Sequence, residues 1–148
     1  MVDADDSEVV LTTRIPLPQS DEEALLVTLN RPEKKNCFDT RVCHQLATIF
    51  YDAANEIRSY DDAPMHDDDD DNDDDDGRRR RLAAIVLTGA GKSFCAGADL
   101  SNPPNPLHQS SDLLHHLRWN PVHQMGRVGV PIIGALRGHV SCCGSRSA

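Results

Sequence analysis

Hydrophobic and polar positions change rhythm several times along the chain, and each rhythm predicts an element. Glu8 to Ile15 (EVVLTTRI) and Ala24 to Asn30 (ALLVTLN) are short, β-branched and apolar runs separated by PLPQSDEE, the pattern of two antiparallel strands joined by a longer loop. Pro32 then ends the second strand, because proline has no N–H to give a ladder. From Asp39, a side chain suited to N-capping, the period becomes helical. Val42, Leu46, Ile49, Phe50, Ala53 and Ile57 recur every three or four residues, while Asp52, Asn55, Glu56 and Arg58 fall on the other side. This predicts a helix to about Tyr60. Leu82 to Thr88 (LAAIVLT) is a continuous apolar run, expected as a strand buried on both faces. A helical region from about Gln109 to Gly126 contains Pro121, which should kink or split it. Trp119 is expected to anchor its packing, and Pro131 to Leu136 reads as another buried strand. Hairpin, helix, strand, helix, strand is an α/β order with right-handed crossovers.

Residues 61–80 (DDAPMHDDDDDNDDDDGRRR) have no apolar period at all. Nine aspartates between positions 67 and 76 repel one another and cannot bury surface, so this segment is expected as a disordered surface insertion. A tolerated insertion fits; an acidic docking segment is the alternative. Much of the formal charge of −9 over 148 residues comes from this run, and the remainder is mildly acidic. That balance gives no reason to expect nucleic acid as a partner. The longest apolar runs are far shorter than the roughly 20 residues of a membrane-crossing helix, so no membrane is expected. Residues 1–7 read as a disordered N-terminus without a presequence pattern, and the C-terminal SRSA is not a peroxisomal address. An intracellular, cytoplasmic location is expected, with mitochondrial matrix and peroxisome as alternatives. Cys37, Cys43, Cys95, Cys142 and Cys143 are odd in number and without paired spacing, which suits thiols in a reducing compartment. His108, His115, His116 and His123 lack a completing carboxylate or cysteine at ligand spacing, so no metal is expected.

The candidate chemistry lies in LTGAGKSFCAGADL, Leu87 to Leu100. GAGKS suggests a phosphate loop, but G-x-x-x-x-G-K-[ST] would need glycine at position 86, where Val86 stands inside the strand. A dinucleotide G-x-G-x-x-G fails as well, because the glycine after Gly89 and Gly91 is Gly97. The glycines instead let the chain turn sharply, Phe94 returns to the core, and small residues from Cys95 to Ala98 leave backbone amides accessible. PIIGALRGHVSCCG repeats the design: strand, glycine turn, then small residues expected to start a helix, where N–H groups lack intrahelical partners. Two such amides aimed at one point form an oxyanion hole.

TLNRPEKKN at 28–36, IVLTGAGKSFCAGADL at 85–100, VPIIGALRG at 130–138 and CCG at 142–144 occur in an order that resembles the enoyl-CoA hydratase/isomerase (crotonase) family, over roughly the N-terminal half of its domain. The resemblance implies a crotonase-like ββα spiral core over residues 8–148, truncated and carrying the acidic insertion. It implies acyl-coenzyme A thioesters as substrates, no cofactor beyond the coenzyme A of the substrate, and a thioester enolate stabilised by two backbone amides, those of Ala98 and Cys143. Ala96, Gly97, Ala98, Asp99, Leu100 and Ser101 would line the substrate channel, and Lys34 would approach the coenzyme A end, although Lys34 and Lys35 read equally as solvated surface lysines. Asp99 reads as structural rather than as a general base. The family's two hydratase glutamates are missing: a gapless match puts Arg146 at the first, and no Asp or Glu follows Asp112. The chain is therefore expected to be a truncated product, inactive alone and unable to form the family's homo-oligomers normally. Hydratase, isomerase and hydrolase activities share these loops. A non-catalytic fragment, or an interaction protein using its acidic loop, is the alternative.

Overall fold

A computed structural model describes residues 8–62, 80–99 and 117–141. Within them, strands β1 (Val10–Pro16) and β2 (Glu22–Leu29) form the antiparallel hairpin, in a register that sets Val10 opposite Leu29 and Pro16 opposite Glu23. A 3-10 turn, Pro32–Lys34, leads to helix α1 (Thr40–Asp61), which returns the chain to β3 (Arg81–Gly89), parallel to β2. A short strand β4 (Ser93–Cys95), a helical turn α2 (Pro121–Met125), and strands β5 (Ile132–Ala135) and β6 (His139–Val140) follow. The main sheet has the order β1-β2-β3-β5, with β3 and β5 parallel, while β4 and β6 make a separate two-stranded sheet. The α/β order expected from the sequence is observed among the described residues, with two short strands, β4 and β6, that were not expected.

The core lies between α1 and one face of the main sheet. Alternation in β2 sends Leu25, Val27 and Leu29 to that face, Ile85 comes beside them from β3, and Val42, Leu46, Phe50, Ala53 and Ile57 meet them from α1. Ile49 is only partly buried, at the margin of the stripe. Each fully buried side chain of this size contributes roughly 1.5–3 kcal/mol by leaving water. Asp39 caps α1 as expected, its Oδ1 accepting from the Val42 N–H at 3.0 Å. Arg14 of β1 donates to both Glu23 and Glu56, tying the hairpin to the helix; the two carboxylates hold its pKa above the ordinary arginine value.

Two expectations are corrected. β3 is central, between β2 and β5, but it is not buried on both faces: Ala84, Val86 and Thr88 remain partly exposed on the side away from α1. The segment Pro131 to Leu136 does form a strand, yet only Ile132 turns to the core, opposite Ile85, and Ile133, Gly134 and Ala135 are exposed. Apolar runs report affinity for a core, and here α1 covers one face of the sheet only. Pro121 splits its helical region as expected, by standing at the first position of α2 behind Asn120, whose Oδ1 accepts from the Val122 and His123 N–H groups. Trp119 packs its ring 4.7 Å from His44 of α1. Asp61 closes α1 and Asp62 is its C-cap; residues 63–79 of the acid-rich segment, and residues 1–7, lie outside the described residues.

Candidate functional site

The loop after β3 is built around close backbone approaches. A β-carbon on Gly89 would stand 2.4 Å from the Phe94 carbonyl oxygen and 2.5 Å from that of Ser93, so only glycine fits there. Gly91, at φ +73°, completes the turn against Pro32. The chain then runs extended through β4, with Phe94 packed on the core, instead of launching a helix. A phosphate loop needs its glycine-rich turn to open into a helix N-terminus, so the geometry agrees with rejection of that reading.

A buried polar network fixes this turn to the loop that follows β2. Asn36 is held at φ +56°, a left-handed conformation that asparagine tolerates better than most residues. Its Oδ1 accepts from the Arg31 N–H at 2.9 Å, and its Nδ2 donates to the Ala90 carbonyl at 2.9 Å and the Ser93 carbonyl at 2.7 Å. Arg31 is itself buried. Its guanidinium donates to the Cys37 carbonyl at 2.7 Å and to Asp99 Oδ2 at 3.0 Å, and lies 3.3 Å from Asp39 Oδ2. A buried cation is tolerated only when carboxylates and acceptors surround it, and Arg31 has both. Asp99 is thus one of the carboxylates that hold the buried Arg31. Asn36, Arg31 and the second role of Asp39 were missed by sequence reasoning. An asparagine following two lysines before a helix cap was the available signal for a left-handed turn; no local pattern marks a buried arginine.

The small-residue stretch is threaded between these supports. The Ala96 N–H donates to the Lys35 carbonyl, that of Gly97 to Cys95 Sγ, and that of Asp99 to the Phe38 carbonyl, while Phe38 donates to the Gly97 carbonyl. The last two bonds make a parallel bridge pairing Phe38 with Ala98. In such a bridge the bonds to Phe38 come from the neighbours of Ala98, so the N–H of Ala98 itself points to the opposite side of the segment. Gly97 makes this possible at φ +97°. Cys43 and Cys95 are buried, and Cys37 is half-buried. Burial, with the Asp39 and Cys95 charges adding to it, raises the Cys43 thiol to about 11, so Cys43 carries no thiolate at neutral pH.

The second glycine stretch comes to the first. Arg137 donates to the Gly91 carbonyl, and Gly138, at φ +66°, passes so close that a β-carbon would overlap the Lys92 carbonyl oxygen, at 1.9 Å. β6 then pairs with β4 in parallel, Ser93 with His139 and Cys95 with Val140, and the Ser141 N–H donates to the Cys95 carbonyl at 2.9 Å. The two stretches therefore leave this small sheet side by side and in the same direction. Of the residues expected to act, Ala96, Gly97, Ala98 and Asp99 are brought together here. Lys34 stands exposed on the 3-10 turn, next to Lys35, whose carbonyl receives the Ala96 N–H. Leu100, Ser101 and Cys143 lie outside the described residues, as do His108, His115 and His116. Among the described residues no group of three or more His, Cys, Asp or Glu side chains could hold a metal ion, and no helix is long and apolar enough to cross a membrane.

No protein-family profile matches the sequence. An uncharacterized protein of Caenorhabditis elegans is 32% identical over 130 residues, which are 87% of this chain and 41% of that protein. A Mycobacterium tuberculosis protein named "Probable enoyl-CoA hydratase" is 32% identical over 81 residues, 55% of this chain and 23% of its own. The crystal structure of an enoyl-CoA hydratase from M. tuberculosis H37Rv superposes with a TM-score of 0.50 at 25% identity, over 88% of this chain and 38% of that one. The chain thus spans less than half the length of each of these proteins.

Proposed function

We propose that this chain, a partial crotonase-like protein with the fold of the enoyl-CoA hydratase/isomerase structures, binds acyl-coenzyme A thioesters and polarises the thioester carbonyl through backbone amides. The observation that carries the reading is the parallel pairing of β4 with β6, which sends the two glycine-turn stretches out side by side. Ala98 supplies one donor, its N–H turned away from Phe38 by the bridge. Cys143, two residues beyond the Ser141 that is bonded to Cys95, supplies the second. Two N–H groups on one oxygen stabilise the charge that gathers there as a proton leaves the adjacent carbon, giving an enolate. Losing one such donor costs about 3–4 kcal/mol of transition-state stabilisation. Ala96, Gly97 and Asp99 hold the donor in place, Leu100 and Ser101 continue the channel wall, and Lys34 meets the phosphates of coenzyme A as a point charge.

Hydration needs, in addition, groups that move protons between water and the α- and β-carbons. This sequence carries Arg146 at the position of the first family glutamate. The reading is therefore thioester binding and polarisation without hydration by this chain.

The test uses crotonyl-coenzyme A labelled with 13C at the thioester carbonyl. Binding should move the carbonyl resonance downfield, Ala98→Pro, which removes the N–H, should abolish the shift, and the enoyl absorbance should persist. Absence of a shift in the parent chain sinks the oxyanion reading; loss of the enoyl absorbance sinks the claim that hydration is absent. Circular dichroism on the proline variant separates a lost donor from a lost fold.

A further inference from the structure

The bridge that orients Ala98 is small: Phe38 donates to the Gly97 carbonyl at 2.8 Å, and the Asp99 N–H donates to the Phe38 carbonyl at 2.7 Å. It is isolated from the named strands, with no ladder among the described residues to fix its register. Register decides where the Ala98 N–H goes. A slip by one residue, pairing Phe38 with Gly97, would bond the Ala98 N–H to the Phe38 carbonyl and consume the group that the oxyanion reading needs. The side chain of Arg31 straddles this pair. Its Nη1 donates to the Cys37 carbonyl at 2.7 Å, one residue before Phe38. Its Nη2 donates to Asp99 Oδ2 at 3.0 Å, one residue after Ala98, and lies 3.3 Å from Asp39 Oδ2, one residue after Phe38. Asp39 in turn caps α1, so the guanidinium joins both partners of the bridge to a helix packed on the sheet.

We propose that Arg31 clamps this register and is a positioning residue for the Ala98 amide, a role that rests on the thioester reading above. A guanidinium is planar, with donors in fixed directions, so simultaneous contacts to Cys37 and Asp99 admit one spacing of the two segments. A lysine keeps the charge but has no such fork. The side chains of Arg31, Asp39 and Asp99 are all buried. Taking ions out of water offsets much of their attraction, so a buried set of this kind contributes more to specifying one arrangement than to stability. Here the arrangement is the side of the segment on which the Ala98 N–H emerges. Gly97, at φ +97°, leaves the segment free to turn, so the constraint has to come from outside it.

Amide hydrogen exchange of the whole chain, followed by NMR, reads the bridge without any ligand. In R31K the protection of Phe38 and Asp99 should fall by about ten-fold, the worth of a charged hydrogen bond, while that of Leu46 and Phe50 in α1 stays at the parent value. Asp99→Ala should lower Phe38 protection likewise, and Asp99→Asn, which keeps an acceptor for the guanidinium, should restore most of it. That pair carries the same test if R31K does not fold. With crotonyl-coenzyme A labelled with 13C at the thioester carbonyl, R31K should bind within about two-fold of the parent yet give roughly half the downfield shift, since one of two donors is misaimed. Equal loss of protection at all four amides makes Arg31 a merely structural residue and overturns the proposal, as does unchanged protection of Phe38 in R31K and Asp99→Ala. A parent chain that leaves the carbonyl unshifted sinks the thioester reading and not the clamp, which the amides then judge. A parent that shifts it, beside an R31K that shifts it as far, sinks the clamp.

Discussion

Asn36 carries three hydrogen bonds and a left-handed backbone angle in one buried residue. Asn36→Ala leaves the Arg31 N–H and the Ala90 and Ser93 carbonyls without that partner and puts a β-branch-free but chiral residue at positive φ. The expected loss is roughly 3 kcal/mol in urea unfolding, from unsatisfied buried groups and the left-handed strain together. Asn36→Gly relieves the angle and not the bonds, so it should be the milder of the two by about 1 kcal/mol. Equal midpoints for the alanine variant and the parent would show that the turn after β3 does not depend on this side chain. The asparagine was visible in the sequence, but its two distant carbonyl partners, more than fifty residues away, were not. Gly89 is the reverse case: its place at a strand end was read correctly, while the carbonyls that forbid a side chain there became known only from the fold.

At the scale of elements, α1 was the most legible piece, because a period of three to four with an acidic cap is written locally. Asp39 nevertheless does two jobs, capping α1 with Oδ1 and facing Arg31 and Arg41 with Oδ2. These separate by substitution. Asp39→Asn keeps a cap acceptor and removes the charge, and should cost about 1–2 kcal/mol because Asp99 still accompanies the buried Arg31. Asp39→Ala removes both and should cost about 1 kcal/mol more, the usual worth of an N-cap. Paired melting curves decide the matter; identical losses for the two variants would mean that the cap contributes nothing. The strands were legible as strands, yet their burial was not. Ile133 and its neighbours have the composition of a core strand but stand on a face that α1 does not reach.

For the whole molecule, that uncovered face is the main physical liability. Ile133 on β5 and Leu136 just after it are 52% and 58% exposed, and Val140 on β6 is 53% exposed. Exposed apolar side chains, beside a strand that is an edge of the main sheet among the described residues, invite association. Light scattering of the chain should therefore show mass increasing with concentration, and I133K/V140K should return it toward the monomer value without lowering the melting temperature. A parent chain that stays monomeric at every concentration would refute this. The candidate site belongs to the same scale, since it exists only because β4 and β6 pair across a long sequence separation.

The sequence by itself determined the elements and their order, the helix cap, the glycine turns and the exclusion of a phosphate loop, because periodicity, capping and backbone sterics act between near neighbours. Tertiary structure alone decided that Arg31 is buried between Asp39 and Asp99, that Asn36 clasps the turn after β3, that β4 and β6 pair in parallel, and that Arg118 and Arg127 meet on Tyr51. Those are contacts between distant segments, and their energies depend on distance and burial, which only the folded chain sets.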